Sequence, residues 1–251
     1  MIEAVRPWAL ALKNLVFPIY CRECGVQLLT DENAYFCPTC WERSPKIVRP
    51  FCTVCGRPEP ARLGFGPSPP NFPCDKCRTR KNSTYRRVYG AAVYTGAVAE
   101  AIKLLKFNGK IQLAAPLAER MAEFAEQEID LDAYEAIVPV PLHRVRLRER
   151  GFNQSQLLAE YLLPTFAGAR LDVSLRRIRP TKVQSRLKSE AERRKNVVGA
   201  FAVDADTDFA GQSVLLVDDV VTSGGTVSEC SRALIRAGAQ IVDVFAAALP
   251  A

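Results

Sequence analysis

The chain has 251 residues, with 34 lysines and arginines, 27 aspartates and glutamates, one histidine and nine cysteines. With 48% apolar and 24% charged residues it is a folded globular protein of one or two domains, which excludes a disordered chain and a collagen-like repeat. The net charge of +7 falls in blocks of alternating sign: +7 over residues 1–90, −4 over 91–139, +9 over 140–196 and −5 over 197–251, a pattern of local anion sites more than of a uniformly basic surface.

Residues 1–20 read as a short amphipathic helix, with Trp8, Leu12, Leu15 and Val16 at helical spacing. Glu3, Arg6, Lys13, Pro7 and Pro18 interrupt it, so it is neither a spanning helix of ~20 apolar residues nor an export signal. The expectation is a cytoplasmic protein without a membrane span.

Eight cysteines then form four Cys-x2-Cys pairs: Cys21/Cys24, Cys37/Cys40, Cys52/Cys55 and Cys74/Cys77. Each pair turns two thiolates toward one point, and two pairs complete a tetrahedral sulfur shell for Zn2+. Gly25 and Gly56 follow two of these turns, where positive φ is needed. A disulfide framework would require an oxidising compartment, and four evenly repeated pairs differ from ferredoxin runs. Two structural zinc ions are expected, paired sequentially, with a cross-braced arrangement left open by spacing. Such closed sites fold a segment that has too little apolar surface for its own core. They would also present Arg43, Lys46, Arg49, Arg78, Arg80, Lys81, Arg86 and Arg87 to a partner, or simply to solvent. Residues 56–73, rich in proline and glycine, read as an exposed loop. This head is assigned to residues 1–84 and the second domain to residues 85–251.

In the second domain, residues 96–107, 111–128, 153–163 and 226–237 read as helices, and residues 135–142, 213–219 and 240–249 as buried strands. Together they predict an α/β fold, an open parallel sheet with helices on both faces. Cys230 lies on the apolar face of the last helix, with Val227, Leu234 and Ala237, and reads as core.

Residues 214–226, VLLVDDVVTSGGT, carry the chemistry. A buried strand brings Asp218 and Asp219 to its carboxyl end, where ligands bind in such sheets. Thr222, Ser223, Gly224, Gly225 and Thr226 follow and open a helix, so that hydroxyls, glycine-exposed N–H groups and the helix dipole meet at a phosphate-sized site. The acids suit ribose hydroxyls beside that phosphate. No G-x4-G-K-[ST] or G-x-G-x-x-G segment is present, so neither a nucleotide P-loop nor a dinucleotide fingerprint is available.

The same segment resembles the 5-phosphoribosyl diphosphate (PRPP) motif of type I phosphoribosyltransferases. The whole chain resembles the ComF (ComFC) family of competence-associated proteins, through FPIYCRECG, the double zinc ribbon, YTGAVAEAIKLLKFNG, VPVPLHRVRLRERGFNQSQLLA, QSRLKSEAERRKNVVGAF and the PRPP loop. Where the family more often has threonine, Ser223 keeps the hydroxyl. The resemblance implies a type I phosphoribosyltransferase fold behind the zinc ribbon. It places the pyrophosphate loop at residues 138–143, with Pro141 and His143. It also puts a mobile loop over PRPP at residues 182–196, with Gln184, Arg186, Lys188, Arg193, Arg194 and Lys195. Arg150, Arg193 and Lys106 fall on family positions, and Lys103 is a second lysine within reach. Arg144, Arg146 and Arg148, taken singly, read as surface charges. His143, the only histidine, reads as a local hydrogen-bonding group or a pyrophosphate contact, and poorly as a general base.

Two functions follow. One is phosphoribosyl transfer from PRPP with Mg2+, in which Asp218 and Asp219 act at the ribose and diphosphate departs, linked to competence and DNA uptake. The other is a non-catalytic adaptor that holds a nucleotide or single-stranded DNA beside a competence helicase partner. No segment reads as a base-recognition pocket, so the acceptor stays unnamed.

Overall fold

The computed structural model describes residues 18–28, 35–58, 71–79, 84–180, 192 and 196–251. The readings for residues 1–17, for most of the insert between Cys55 and Cys74, and for the basic segment with Arg186 and Arg193 lie outside the described residues.

The head contains little regular structure: β1 (Ile19–Tyr20) pairs antiparallel with β2 (Gln27–Leu28), and two single-turn helices, α1 (Pro38–Glu42) and α2 (Asp75–Arg78), begin directly after Cys37 and Cys74. The second domain is a five-stranded sheet with every pairing parallel. Its order is β3 (Val88–Val93), β9 (Ile241–Leu249), β8 (Ser213–Val220), β4 (Ala136–Pro139) and β5 (Arg170–Leu171). A separate antiparallel pair joins β6 (Leu175–Arg177) to β7 (Phe201–Val203).

Val214 to Asp219 and Val242 to Leu249 are buried at every position, so both faces of the sheet are covered. Helices α3 (Gly96–Asn108), α4 (Ala114–Glu128) and α6 (Gln154–Leu162) follow the predicted spans, α4 and α6 lying together on one side. Helix α7 (Gly225–Arg236) packs on β9 and on the β6–β7 pair, with Val227, Cys230 and Leu234 buried. The stretch read as one helix over residues 111–128 is divided: Ile111–Leu113 is a 3-10 turn and α4 begins at Ala114. Pro116 explains the start, because a residue without an N–H is tolerated only in the first turn. Strand β3 was not read from the sequence. Its Gly90 has a close-packing reason, since a Cβ there would lie 2.4 Å from the Leu249 side chain.

Among the described residues the head has no separate core. Cys21, Leu28, Phe36, Ile47 and Phe51 join one buried cluster with the residues of the sheet and helices. Ile47 N–H donates to Ala91 C=O and Val93 N–H to Pro45 C=O, which lays the chain along the edge strand β3. Arg120 of α4, only 4% exposed, donates to the carbonyls of Trp41 and Ser44 at 2.7 and 3.1 Å and stacks over the Trp41 ring. At the opposite end of the sheet from the strand carboxyl ends, Asp243 is fully buried, yet it accepts hydrogen bonds from Arg86 and the Tyr134 hydroxyl, so its charge is compensated. No helix among the described residues is long and apolar enough to cross a membrane.

Candidate functional site

The thiols fall into two sets, Cys21/Cys24/Cys37/Cys40 and Cys52/Cys55/Cys74/Cys77, with the sulfur atoms of each set within 4.8 Å of one another. The pairing is therefore sequential. Cys24 and Cys37 Sγ lie 3.8 Å apart and Cys55 and Cys74 Sγ 3.9 Å, which matches the edge of a tetrahedron with metal–sulfur bonds of about 2.3 Å and is far too long for a disulfide. Backbone N–H groups point at the sulfurs: Cys37 N–H at Cys21, and Cys55 and Cys74 N–H at Cys52. Burial pushes the Cys21 thiol up, but the N–H groups of Cys24, Cys37 and Glu23 outweigh it and bring it down to about 6. Both donor sets fit structural zinc, and with four sulfurs each leaves no open position for chemistry.

Several basic residues in and beside the head contact the protein itself. Lys46 pairs with Glu123 and Arg49 with Glu128, both on α4, while Arg86 is held by Asp243 and Arg78 donates to Pro73 C=O. Glu123 and Glu128 of α4 are thus the partners of Lys46 and Arg49, while Arg22 and Lys76 are exposed. Arg43 is exposed, and Arg80 and Lys81 lie outside the described residues.

At the carboxyl ends of β8 and β4 the arrangement differs. Asp218 and Asp219 are 8% and 2% exposed. Asp218 accepts from the Ser155 hydroxyl at 3.0 Å and from the N–H of Asp219. Asp219 forms an ion pair with Lys106 Nζ at 2.8 Å through Oδ1, while its Oδ2 is buried and has no partner among the described residues. Burial, and then the neighbouring Asp219 charge, push the Asp218 carboxyl up to about 7. Burial works against the Lys106 ammonium, but Asp219 and Asp218 outweigh it and hold its pKa above the ordinary value. Lys106, a candidate for the pyrophosphate loop, is thus placed on the acid pair. Lys103 points elsewhere, to Glu100 on the surface.

Arg150 closes helix α5 (Arg144–Arg150), hydrogen-bonds Gln154, lies over the Phe107 ring and feels the charge of Asp219. Arg144, Arg146 and Arg148 are exposed, Arg146 pairing with Glu149. His143 caps α5, its Nδ1 accepting from Val145 N–H. Asn153 caps α6 and donates to Val140 C=O at 3.0 Å, which ties the loop through Pro141 to the helix carrying Ser155. Arg177, from β6, stacks on Phe201 and feels the charge of Asp218.

Residues 221–226 turn from β8 into α7. Gly224 has φ +73, a conformation glycine adopts without strain, and a Cβ there would lie 2.9 Å from the Tyr85 hydroxyl. Ser223 Oγ is buried without a partner among the described residues. From the head, Arg57 Nη2 donates to Thr222 C=O at 3.1 Å. Ser155, Arg177 and Arg57 were not singled out from the sequence. Ser155 had a signal, two residues after the capping Asn153 in GFNQSQ; Arg57 had none, because its contact spans 165 positions.

Residues 12–78 match the double zinc ribbon domain family and residues 150–249 the phosphoribosyl transferase domain family. DNA utilization protein YhgH of Salmonella typhimurium (strain LT2) is 32% identical over 204 residues, which cover 78% of this chain and 88% of that protein. Competence protein F of Haemophilus influenzae is 28% identical over 233 residues (91% and 96%), and competence protein ComFC of Bacillus subtilis 25% over 219 residues (84% and 81%). With a phosphoribosyltransferase-type domain behind two sequential zinc ribbons, and relatives aligned along most of their length, the chain belongs to the ComF family.

Proposed function

We propose that the chain binds PRPP at residues 221–226 and at the acid pair, and transfers its phosphoribosyl group to a nucleophilic acceptor. The observation that carries this reading is the buried Asp218–Asp219 pair with one unpartnered oxygen, set directly before a helix-opening loop whose Gly224 is left-handed. A buried carboxylate oxygen without a donor is costly unless a ligand supplies one, and a ribose hydroxyl is such a donor. The loop N–H groups and the Ser223 and Thr222 hydroxyls take the 5-phosphate.

In the reaction, the bond from the anomeric carbon to the diphosphate oxygen breaks, its electron pair leaves with diphosphate, and the acceptor's lone pair forms the new bond. Asp218 and Asp219 stabilise the positive charge that grows on the ribose. Lys106 keeps Asp219 ionised in its buried position. The loop through Pro141 and His143, with Arg150, Arg186 and Arg193, receives the diphosphate. The carboxylates of Asp218 and Asp219 are hard oxygen donors that would hold Mg2+, and the ion would supply positive charge to neutralise the leaving diphosphate. The division between residues 84 and 85 belongs to the same proposal: the head supports the domain that does the chemistry.

Transfer is favoured over the adaptor reading because the buried acid pair keeps an unpartnered oxygen for a ligand, while Lys46 and Arg49 of the head are engaged with α4. Release of labelled diphosphate from PRPP over a panel of candidate acceptors tests the proposal; turnover that survives Asp218→Asn removes the acid pair from the mechanism. For single-stranded DNA, the slope of affinity against salt counts phosphate contacts, and a flat slope eliminates that partner.

A further inference from the structure

The second zinc centre and the phosphate loop share a wall. A cavity of about 900 Å³ lies between them, bounded by Cys55, Arg57 and Cys77 of the head and by Thr222, Ser223 and Gly224 of the loop. The knuckle that carries Arg57 has no slack. Cys52 N–H donates to Arg57 C=O, Val88 N–H donates to Val54 C=O, and Gly56, at φ +70, is pressed so closely on the sheet that a Cβ would lie 2.4 Å from Val88 O and 2.9 Å from Leu249. From this anchored base, Arg57 Nη2 reaches Thr222 C=O at 3.1 Å. On the other flank the Tyr85 hydroxyl abuts Gly224.

The contact has a geometric consequence. A trans peptide is planar, with its C=O and N–H pointing in opposite directions. When Arg57 holds the Thr222 carbonyl, the N–H of Ser223 is directed away from the head. Without that bond, the Thr222–Ser223 peptide, next to a conformationally free glycine, can rotate and present its carbonyl where an anion needs a donor.

We propose that Arg57 is a positioning residue for the phosphate loop, through which the second zinc ribbon sets the loop's readiness for a phosphomonoester. This rests on the reading of residues 221–226 as the phosphate site. It gives the head a role in ligand binding that does not require the head to touch a macromolecule.

The test uses the full-length, zinc-loaded chain and three variants, Arg57→Ala, Arg57→Lys and Arg43→Ala, the last removing an equal charge from an exposed site on the head. Zinc content is measured in each. Amide hydrogen exchange across residues 221–226 is read without ligand, and ribose 5-phosphate binding is read by calorimetry. The expected result is faster exchange in the loop and a roughly tenfold weaker affinity for Arg57→Ala, the size of one charge-assisted hydrogen bond. Partial rescue is expected in Arg57→Lys, with no change in Arg43→Ala and two zinc ions throughout. Unchanged loop exchange in Arg57→Ala overturns the proposal, as does an equal affinity loss in Arg43→Ala, which would mark a diffuse charge effect. Wild-type binding with unaltered Arg57→Ala affinity also overturns it and leaves the phosphate-site reading standing. Wild-type protein that binds no ribose 5-phosphate overturns that reading and this proposal together.

Discussion

The zinc-ribbon head and the carboxyl edge of the sheet handle polar groups in opposite ways. In the head, thiols gather into two closed sets, backbone N–H groups are directed at the sulfurs, and Lys46 and Arg49 pair with α4. At the sheet edge, two adjacent carboxyls share one lysine, and both Asp219 Oδ2 and Ser223 Oγ are left without protein partners among the described residues. Structural sites saturate their own hydrogen-bonding capacity, whereas a binding site withholds part of it for the ligand.

The largest expected effect comes from opening the closed region. Chelation, or Cys52→Ser with Cys55→Ser, should remove a metal worth roughly 10 kcal/mol to a small zinc fold, and the backbone around Cys74 and Cys77 should become sensitive to protease. Atomic spectroscopy should show one zinc rather than two in the double variant, and retention of both ions would refute the assignment of these ligands.

Next in size is the buried pair. Lys106→Met leaves Asp219 beside Asp218 without its cation, at a cost of about 3 kcal/mol at pH 8. Urea denaturation should show a smaller loss at pH 5.5, where a carboxyl can take up a proton instead; a loss independent of pH would show that the lysine acts by packing alone.

Removal of the Arg120 guanidinium tests the junction between the regions. Arg120→Ala leaves two carbonyls without their donor and should lower stability by about 2 kcal/mol, with faster exchange confined to α1 and its flanks. Uniformly faster exchange would show that the arginine serves the whole core.

A smaller effect is carried by pH. Asp218 is held at about 7 in the folded chain against 3.8 as its ordinary value, so folding takes up a proton between these limits. This group's contribution to stability therefore falls as pH rises from about 4 to 7, and Asp218→Asn should flatten that part of the profile. Ribose hydroxyls donate to the ionised form, so ribose 5-phosphate binding should strengthen as pH passes about 7 in the wild type and not in the variant. At the bottom of the scale, Lys46→Ala removes an exposed ion pair and should leave the thermal midpoint unchanged.

Much of the site was legible because its residues are consecutive. A strand, two acids, a hydroxyl–glycine turn and a helix occupy residues 214–226, and local rules of burial, turn formation and helix opening apply without knowledge of the rest. The four Cys-x2-Cys turns were legible for the same reason. Less legible were groups brought in from other elements. Lys106 was a candidate by position, but its ion pair with Asp219 depends on where α3 docks. Ser155 reaches Asp218 from α6, a contact between residues 63 positions apart. The basic residues of the head invited a nucleic-acid reading, and the pairing of Lys46 with Glu123 and of Arg49 with Glu128 follows only from docking.

The sequence by itself determined the metal chemistry, the parallel sheet and the acid–phosphate loop, because each is written in residues within hydrogen-bonding or turn distance along the chain. The tertiary structure decided which thiols share an ion, which cation neutralises which acid, and that Arg57 of the head meets Thr222 across 165 positions. Those outcomes depend on contacts between distant segments, which are set when one common core closes around head and sheet together.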